Sequence, residues 1–133
     1  MPEHVFFYGT LRTGFNRTTS AGLDAFLKFS GNGWISAQLF DLGLYPAAVP
    51  ATDARVFGEV FEMTDPSAVL VALDRIEGHL PAEPDRSLYT RVRVTATLED
   101  GRTEEVWVYF YNAPLGRAPR ISSGDYVEHL RAR

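Results

Sequence analysis

The sequence contains no cysteine. This absence excludes disulfide bonds, thiolate nucleophiles and thiolate metal ligands, and it is typical of proteins from a reducing compartment. Lysine is nearly absent as well, because Lys28 is the only lysine among 13 basic residues. Nucleic-acid binding needs clustered Lys and Arg, whereas this chain has a formal net charge of −4 and scattered arginines. We therefore expect no nucleic-acid partner.

Long apolar runs are also missing. No segment approaches the length of a membrane span, and Glu3 and His4 stand where a signal peptide carries positive charge. We expect a cytoplasmic protein without a membrane partner, present as a monomer or a weak homodimer. The length of 133 residues indicates a single domain spanning residues 1–133.

The first half of the chain reads mainly as strands. Uninterrupted β-branched and aromatic residues predict a buried strand over residues 4–8. Apolar residues at helical spacing predict a short helix within 16–29, capped by one of its first five residues. Alternation predicts strands over 33–42 and 56–63, the second with one face mostly in water. Two prolines predict a loop over 43–50.

The clearest helix begins near Asp65. The Asp65 side chain is a capping acceptor, Pro66 suits the first helical position, and Gly78 suits a left-handed C-terminal cap. An apolar stripe at helical spacing supports this assignment. Its members are Val69, Leu70, Leu73 and Ile76.

A hairpin and a final helix are predicted in the last third of the chain. Residues 89–112 contain two alternating arms around an Asp100-Gly101 turn, and the second arm is apolar on both faces. That arm should be covered twice, by the barrel interior and by a helix or loop. Ser122 or Ser123 is the expected cap of a last short helix.

These elements predict an α+β domain. A small sheet must hide its edges, so we expect a small mixed or antiparallel β-barrel with short peripheral helices. Closure of such a sheet forms a pocket at one mouth.

Few residues in this sequence have the spacing of a known chemical motif. His4, His79 and His129 are scattered, which argues against a metal, and no serine lies in a G-x-S-x-G motif. Gly9-Thr10 lacks the further glycines of a nucleotide-binding loop. We therefore expect neither a metal nor another cofactor.

Glu77 is the most informative carboxylate. It falls in the last turn of the predicted helix, where the helix dipole disfavours an acidic side chain by about 0.3–1 kcal/mol. If the site is also desolvated, both effects raise the carboxyl pKa, which suits a general base that later returns a proton. The alternative is a solvated glutamate that ends a helix and pairs with Arg75 or Arg91.

Five motifs come in the order seen in one known family. The sequence resembles the γ-glutamylcyclotransferase-like family, and most closely the branch that includes γ-glutamylamine cyclotransferases, over nearly the whole chain. The motifs are YGTLR at 8–12, YPAAV at 45–49, LDRIEG at 73–78, YTRVRV at 89–94 and SGDY at 123–126.

The resemblance implies a fold and a set of site residues. The family fold is a small β-barrel with peripheral helices. The glutamate of the E-G pair, here Glu77, is the catalytic acid/base of active members. The remaining residues that the resemblance implies for γ-glutamyl substrate binding are Tyr8, Gly9, Thr10, Leu11, Arg12, Tyr89 and Tyr126.

The family's reaction needs few protein groups. The α-amine of a γ-glutamyl amide attacks its own γ-carbonyl, which yields 5-oxoproline and a free amine. The protein must orient the substrate, move protons through one carboxylate and stabilise an anion, here with the amides of residues 9–12. Two alternatives remain open. One is a barrel that binds a carboxylate-bearing metabolite or a protein partner without turnover, and the other is a hydrolase that uses the same pocket.

Overall fold

The computed structural model describes residues 3–15, 17–80 and 82–132. In these ranges the strands are β1 (Glu3–Phe7), β2 (Leu27–Asp41), β3 (Pro46–Met63), β4 (Tyr89–Leu98) and β5 (Thr103–Tyr111). The α-helices are α1 (Arg17–Ser20), α2 (Pro66–Glu77) and α3 (Tyr126–Arg131). Single 3-10 turns cover Asp24–Phe26 and Pro84–Arg86. No helix in the described ranges is long and apolar enough to cross a membrane.

The strands form a closed barrel in the order β1-β3-β2-β4-β5. The first strand runs parallel to β5, with His4 opposite Val106 and Val5 opposite Trp107. The pairs β1–β3, β2–β3, β2–β4 and β4–β5 are antiparallel. The predicted fold class, a small mixed β-barrel with short peripheral helices, is therefore confirmed.

Alternation along each strand divides the core into two parts. On β1, Phe6 faces the barrel interior, while Val5 and Phe7 pack with the apolar face of α2. The same division holds for β5, where Val108 lies in the interior cluster and Tyr109 in the cluster beneath α2. The prediction that the second hairpin arm is covered on both faces is confirmed.

The helix predicted within 16–29 is wrong as a continuous element. One helical turn, α1, is followed by Gly22 at φ 72°, a left-handed conformation that a helix cannot continue through. Leu27 already begins β2, where its side chain packs against the cluster beneath α2. Asn16, one of the expected caps, lies outside the described residues.

The loop predicted over 43–50 is confirmed for residues 43–45 and wrong for residues 46–50, because Pro46 is the first residue of β3. Residues 46–50 pair with β2 from Asp41 to Ala37. A proline is tolerated at the start of a strand, and Pro50 lies at the register shift between Ser36 and Ala37. Neither proline therefore interrupts the ladder.

The strand predicted over 56–63 exists, but neither face is mostly in water. Val56 and Val60 are fully buried on one face, and Glu59 and Met63 are buried on the other. The Glu59 carboxylate accepts a hydrogen bond from the Thr13 amide at 2.7 Å, which explains how an acidic residue is tolerated there.

The caps of α2 are those that the sequence predicts. The Asp65 side chain accepts a hydrogen bond from the Ala68 amide, and Gly78 ends the helix at φ 66°. The cap of α3 differs from the prediction. Asp125, rather than Ser122 or Ser123, accepts hydrogen bonds from the amides of Val127 and Glu128. Aspartate is an equally good capping residue, and the sequence cannot distinguish between adjacent candidates.

Candidate active site

A cavity of about 200 Å³ lies where the end of β1, the C-terminal end of α2 and the start of β4 meet. These three elements are far apart in sequence and are brought together by barrel closure. Six of the eight site residues predicted from the sequence line this cavity: Tyr8, Gly9, Thr10, Leu11, Glu77 and Tyr89.

Residues 9–12 form a tight turn beside the cavity. The Arg12 amide donates to the Gly9 carbonyl at 3.1 Å, so this amide is not available to a ligand. In the described part of the chain, the amides of Gly9, Thr10 and Leu11 have no backbone or side-chain acceptor. Three adjacent amides are therefore free in a turn that lines the cavity, and consecutive free backbone amides can bind an anion.

Gly9 is needed for space rather than for an unusual backbone conformation. Its φ is outside the left-handed region. A Cβ at this position would lie 2.7 Å from the Pro46 Cγ, which is closer than real Cβ atoms approach. The absence of a side chain therefore lets β3 begin directly against the turn.

Glu77 is the last residue of α2, and its side chain lies in the wall of the same cavity. Its carboxylate makes no hydrogen bond or ion pair with any described residue. Burial raises the pKa of the Glu77 carboxyl to about 7, and the nearby Arg17 guanidinium opposes this rise. At neutral pH the group is therefore close to half-ionised, as an acid/base catalyst requires.

The ion pairs expected for a merely solvated Glu77 are not formed in the described residues. Arg91 instead contacts both carboxylate oxygens of Asp74, at 3.0 and 3.3 Å. Asp74 Oδ1 also accepts a hydrogen bond from the Tyr109 hydroxyl at 2.6 Å. One turn of α2 thus presents a paired carboxylate to β4 and β5 and an unpaired carboxylate to the cavity.

Three buried tyrosines form one side of the cavity. Their hydroxyls donate within the protein: Tyr8 to the Tyr109 carbonyl at 2.6 Å, Tyr89 to the Pro46 carbonyl at 2.8 Å and Tyr109 to Asp74. Burial is the main cause that raises the pKa of all three phenols, so they stay neutral. These hydrogen bonds fix the three rings in the cavity wall. Each hydroxyl hydrogen already binds an acceptor within the protein, so it is not available to a ligand.

Arg12 and Tyr126 lie away from this cavity, which differs from the sequence expectation. The Arg12 guanidinium donates to Asp125 Oδ1 at 2.9 Å and is largely buried, with 13% of the side chain exposed. The Tyr126 ring is buried in the barrel interior and stacks on Phe15, with ring centroids 6.2 Å apart. Both residues attach α3 to the barrel.

Sequence reasoning missed Arg17, Tyr45 and Leu88 as cavity residues. The Arg17 Nη1 donates to the Thr10 hydroxyl at 2.6 Å, so this residue occupies the place expected for Arg12. Tyr45 lies in the quoted YPAAV motif, which could have identified it. Arg17 and Leu88 had no signal in the sequence, because neither lies within one of the five motifs.

The site combines an unpaired carboxyl group, free backbone amides and one guanidinium around a small cavity. No group of three or more metal-ligating side chains occurs in the described ranges. A small closed barrel with such a site belongs to the class of proteins suited to acid–base chemistry on a small anionic molecule.

Comparison with known proteins identifies the family. The family model described as "Gamma-glutamyl cyclotransferase, AIG2-like" matches residues 5–128. This chain therefore belongs to that family, as the sequence motifs indicate.

Relatives agree in sequence and in structure. A protein of Methanocaldococcus jannaschii named "Putative gamma-glutamylcyclotransferase" is 32% identical over 129 residues, covering 96% of this chain and 98% of the relative. A protein of the same description from Halalkalibacterium halodurans is 35% identical over 97 residues, covering 71% and 82%. The crystal structure of an AIG2-like protein from Mus musculus has a TM-score of 0.71 at 22% identity, covering 94% and 88%, and supports the fold alone.

Proposed function

We propose that this protein is a cofactor-independent γ-glutamyl cyclotransferase, which converts a γ-glutamyl amine or peptide to 5-oxoproline and releases the amine. The family membership supports the class of reaction. The observation that carries the proposal for this chain is that the unpaired Glu77 carboxyl and the free amides of residues 9–11 line one cavity.

The first step is proton removal from the substrate ammonium by ionised Glu77. The resulting amine attacks the γ-carbonyl carbon, which forms the ring C–N bond and a tetrahedral oxyanion. The substrate supplies its own nucleophile, so the protein contributes mainly orientation and proton transfer.

The second step is collapse of the tetrahedral intermediate. The ring nitrogen, which still carries two hydrogens after the attack, loses one proton to water. The proton held by Glu77 passes to the leaving nitrogen, the oxyanion re-forms the carbonyl, the original amide C–N bond breaks, and the free amine departs. Glu77 is ionised again at the end, so one carboxyl group serves as base and then as acid. A pKa of about 7 suits both roles, since neither protonation state is strongly preferred.

The turn at residues 9–11 and Arg17 bind the anionic groups of the substrate. The free amides of Gly9, Thr10 and Leu11 offer three hydrogen bonds to the substrate carboxylate or to the oxyanion. Arg17 supplies a full positive charge next to Thr10, in the role first expected for Arg12. The proposed substrate-binding set therefore contains Arg17 in place of Arg12.

Product identity tests the proposal. The protein is incubated with γ-glutamyl amides and dipeptides, and 5-oxoproline, free glutamate and the released amine are quantified by mass spectrometry. Equal amounts of 5-oxoproline and amine support cyclisation, and free glutamate in place of 5-oxoproline indicates a hydrolase. Glu77→Gln should lower kcat by at least about a hundredfold while the protein stays folded. Unchanged 5-oxoproline release by that variant would refute the assignment of Glu77.

A further inference from the structure

The mouth of the cavity carries apolar side chains that are exposed to solvent and are therefore not part of the buried core. Leu88 has 41% of its surface exposed and Tyr45 has 36%, and both line the cavity. Leu44, next to Tyr45, is 87% exposed. Single exposed apolar residues are common on proteins, but two on separate segments that border one cavity can contact the same ligand.

The backbone under these side chains is held in place. The Leu88 amide donates to the Gly78 carbonyl at 3.0 Å, and its carbonyl accepts from the Asn112 amide at 2.8 Å. Because Gly78 directly follows Glu77, Leu88 is fixed close to the proposed catalytic carboxyl. Its exposure is therefore not the result of a loose loop.

Tyr45 is fixed by a backbone hydrogen bond and by a ring contact. Its carbonyl accepts from the Leu42 amide at 3.1 Å, which closes the turn between β2 and β3. Its ring makes an edge contact with the Tyr89 ring, with centroids 6.2 Å apart. The two apolar side chains thus stand on anchored backbone at the edge of the cavity.

Acidic groups are missing from this rim in the part of the chain that the structure describes. The charged residues that line the cavity there are Glu77 and Arg17. The loop at residues 79–87 contains the acidic residues Glu83 and Asp85, but neither lines the cavity, and Glu83 pairs with Arg86 at 3.0 Å. Pro81, in the same loop, lies outside the described residues. A cationic leaving group would meet Arg17 and no free carboxylate besides Glu77.

The size of the cavity places the leaving group at this rim. About 200 Å³ is below the roughly 300–1,000 Å³ typical of sites that enclose a drug-sized ligand. The cavity therefore encloses one end of a conjugate, and the rest must lie across its mouth.

We propose that Leu88 and Tyr45 select γ-glutamyl conjugates whose released amine bears an uncharged apolar group. This inference rests on the proposed function, because it assigns the γ-glutamyl end to the cavity. It names the class of substrate and two specificity-determining residues.

The test uses three amides with chains of equal length. They are the γ-glutamyl amides of n-pentylamine, 1,5-diaminopentane and 5-aminopentanoic acid, which end in a methyl group, a cation and a carboxylate. We measure kcat/KM for 5-oxoproline formation by the wild type, and Kd by calorimetry with Glu77→Gln. The kcat/KM for the n-pentylamide should be at least about tenfold higher than for either charged amide, and its Kd at least about tenfold lower.

Substitution at the rim makes the test specific. Leu88→Gln should lower the ratio of kcat/KM for the n-pentylamide over the γ-glutamyl methylamide by about tenfold, which is within the range for lost apolar contact. The matched control is Val71→Gln, because Val71 is 54% exposed on α2 and does not line the cavity. It should leave the ratio unchanged.

The outcomes separate this inference from the proposed function. Turnover of all three amides with equal kcat/KM, or preference for a charged amide, overturns the apolar selectivity and leaves the cyclotransferase intact. Absence of turnover with tightest binding of the n-pentylamide refutes the proposed function and supports the apolar rim. Absence of both turnover and binding overturns both.

Discussion

Arg17 donates a hydrogen bond to the Thr10 hydroxyl across 2.6 Å. This bond brings a guanidinium to the turn whose free amides line the cavity. Arg12 belongs to the same turn but is directed to Asp125 at the start of α3. Two nearby arginines therefore have different surroundings, and their substitution should have different consequences.

Removal of the Arg17 charge should weaken substrate binding without weakening the fold. For Arg17→Met we expect KM to rise about tenfold or more, because a hydrogen bond to a charged group contributes about 1.5–3 kcal/mol. The melting temperature should hardly change, since the side chain is exposed. Arg17→Lys is the matched control and should recover part of the loss. A normal KM for Arg17→Met would remove Arg17 from the site.

Removal of the Arg12 charge should have the opposite result. Arg12→Met leaves Asp125 without its partner and loses buried packing, so thermal denaturation should begin several degrees lower. The KM for the substrate should stay at the wild-type value. A raised KM with an unchanged melting temperature would return Arg12 to the substrate site.

Glu77 should make the fold less stable as the pH rises. Its carboxyl pKa is about 7 in the folded protein against an ordinary value of 4.5, so the folded state binds more protons between these values. Stability must then fall as the pH rises from about 4.5 to about 7. Glutamine resembles the protonated carboxyl, so the melting temperature of Glu77→Gln should match the wild type near pH 4 and exceed it above pH 7. An equal difference at both pH values would contradict the raised pKa.

The same titration should govern the rate. The plot of kcat/KM against pH should rise through an apparent pKa of about 7, where Glu77 ionises in the free protein. Arg17 is the charged group that lowers the pKa of this carboxyl. The phenols of Tyr8, Tyr89 and Tyr109, whose pKa values are raised by burial and by the Glu77 charge, remain neutral throughout this range. Arg17→Met removes the cation that lowers the Glu77 pKa, so the rising limb should move to higher pH. A limb that stays in place would show that another group limits the rate.

Gly9 and Pro46 should be energetically coupled. A Cβ at Gly9 meets the Pro46 ring at 2.7 Å, so Gly9→Ala should lower the melting temperature and raise KM by displacing the turn. Pro46→Ala removes the ring atom that clashes. The double variant should therefore lose less stability than the sum of the two single variants, measured by a double-mutant cycle in urea. Strict additivity would contradict the close contact.

The predictability of the fold depended on how far each signal extends along the chain. The α2 helix could be assigned because its cap, apolar stripe and C-terminal glycine lie within fourteen residues, from Asp65 to Gly78. The strand at residues 46–50 could not, because Pro46 is acceptable only as the first strand residue and Pro50 only at a register shift with β2. Both conditions depend on how this strand pairs with β2, and the residues of the segment itself do not show that pairing.

The candidate site was predictable in the same limited way. Glu77 was distinctive because an acid at a helix C-terminus is unfavourable unless something else requires it. The sequence indicated Arg12 and gave no signal for Arg17, whereas in the folded protein Arg17 lines the cavity and Arg12 binds Asp125. The sequence also suggested a wider aromatic pocket that included Tyr126, whereas α3 packs that ring into the barrel interior.

The parallel pairing of β1 with β5 has a consequence for synthesis on the ribosome. Among the described strands, β1 is synthesised before the others, and it pairs with Val106 and Trp107 of β5, which is synthesised after them. The turn at the end of β1 therefore cannot reach its final position before β5 has emerged, because contacts distant in sequence form late. A nascent chain stalled before β5 should therefore lack the cavity, and the released protein should acquire it in a single late step.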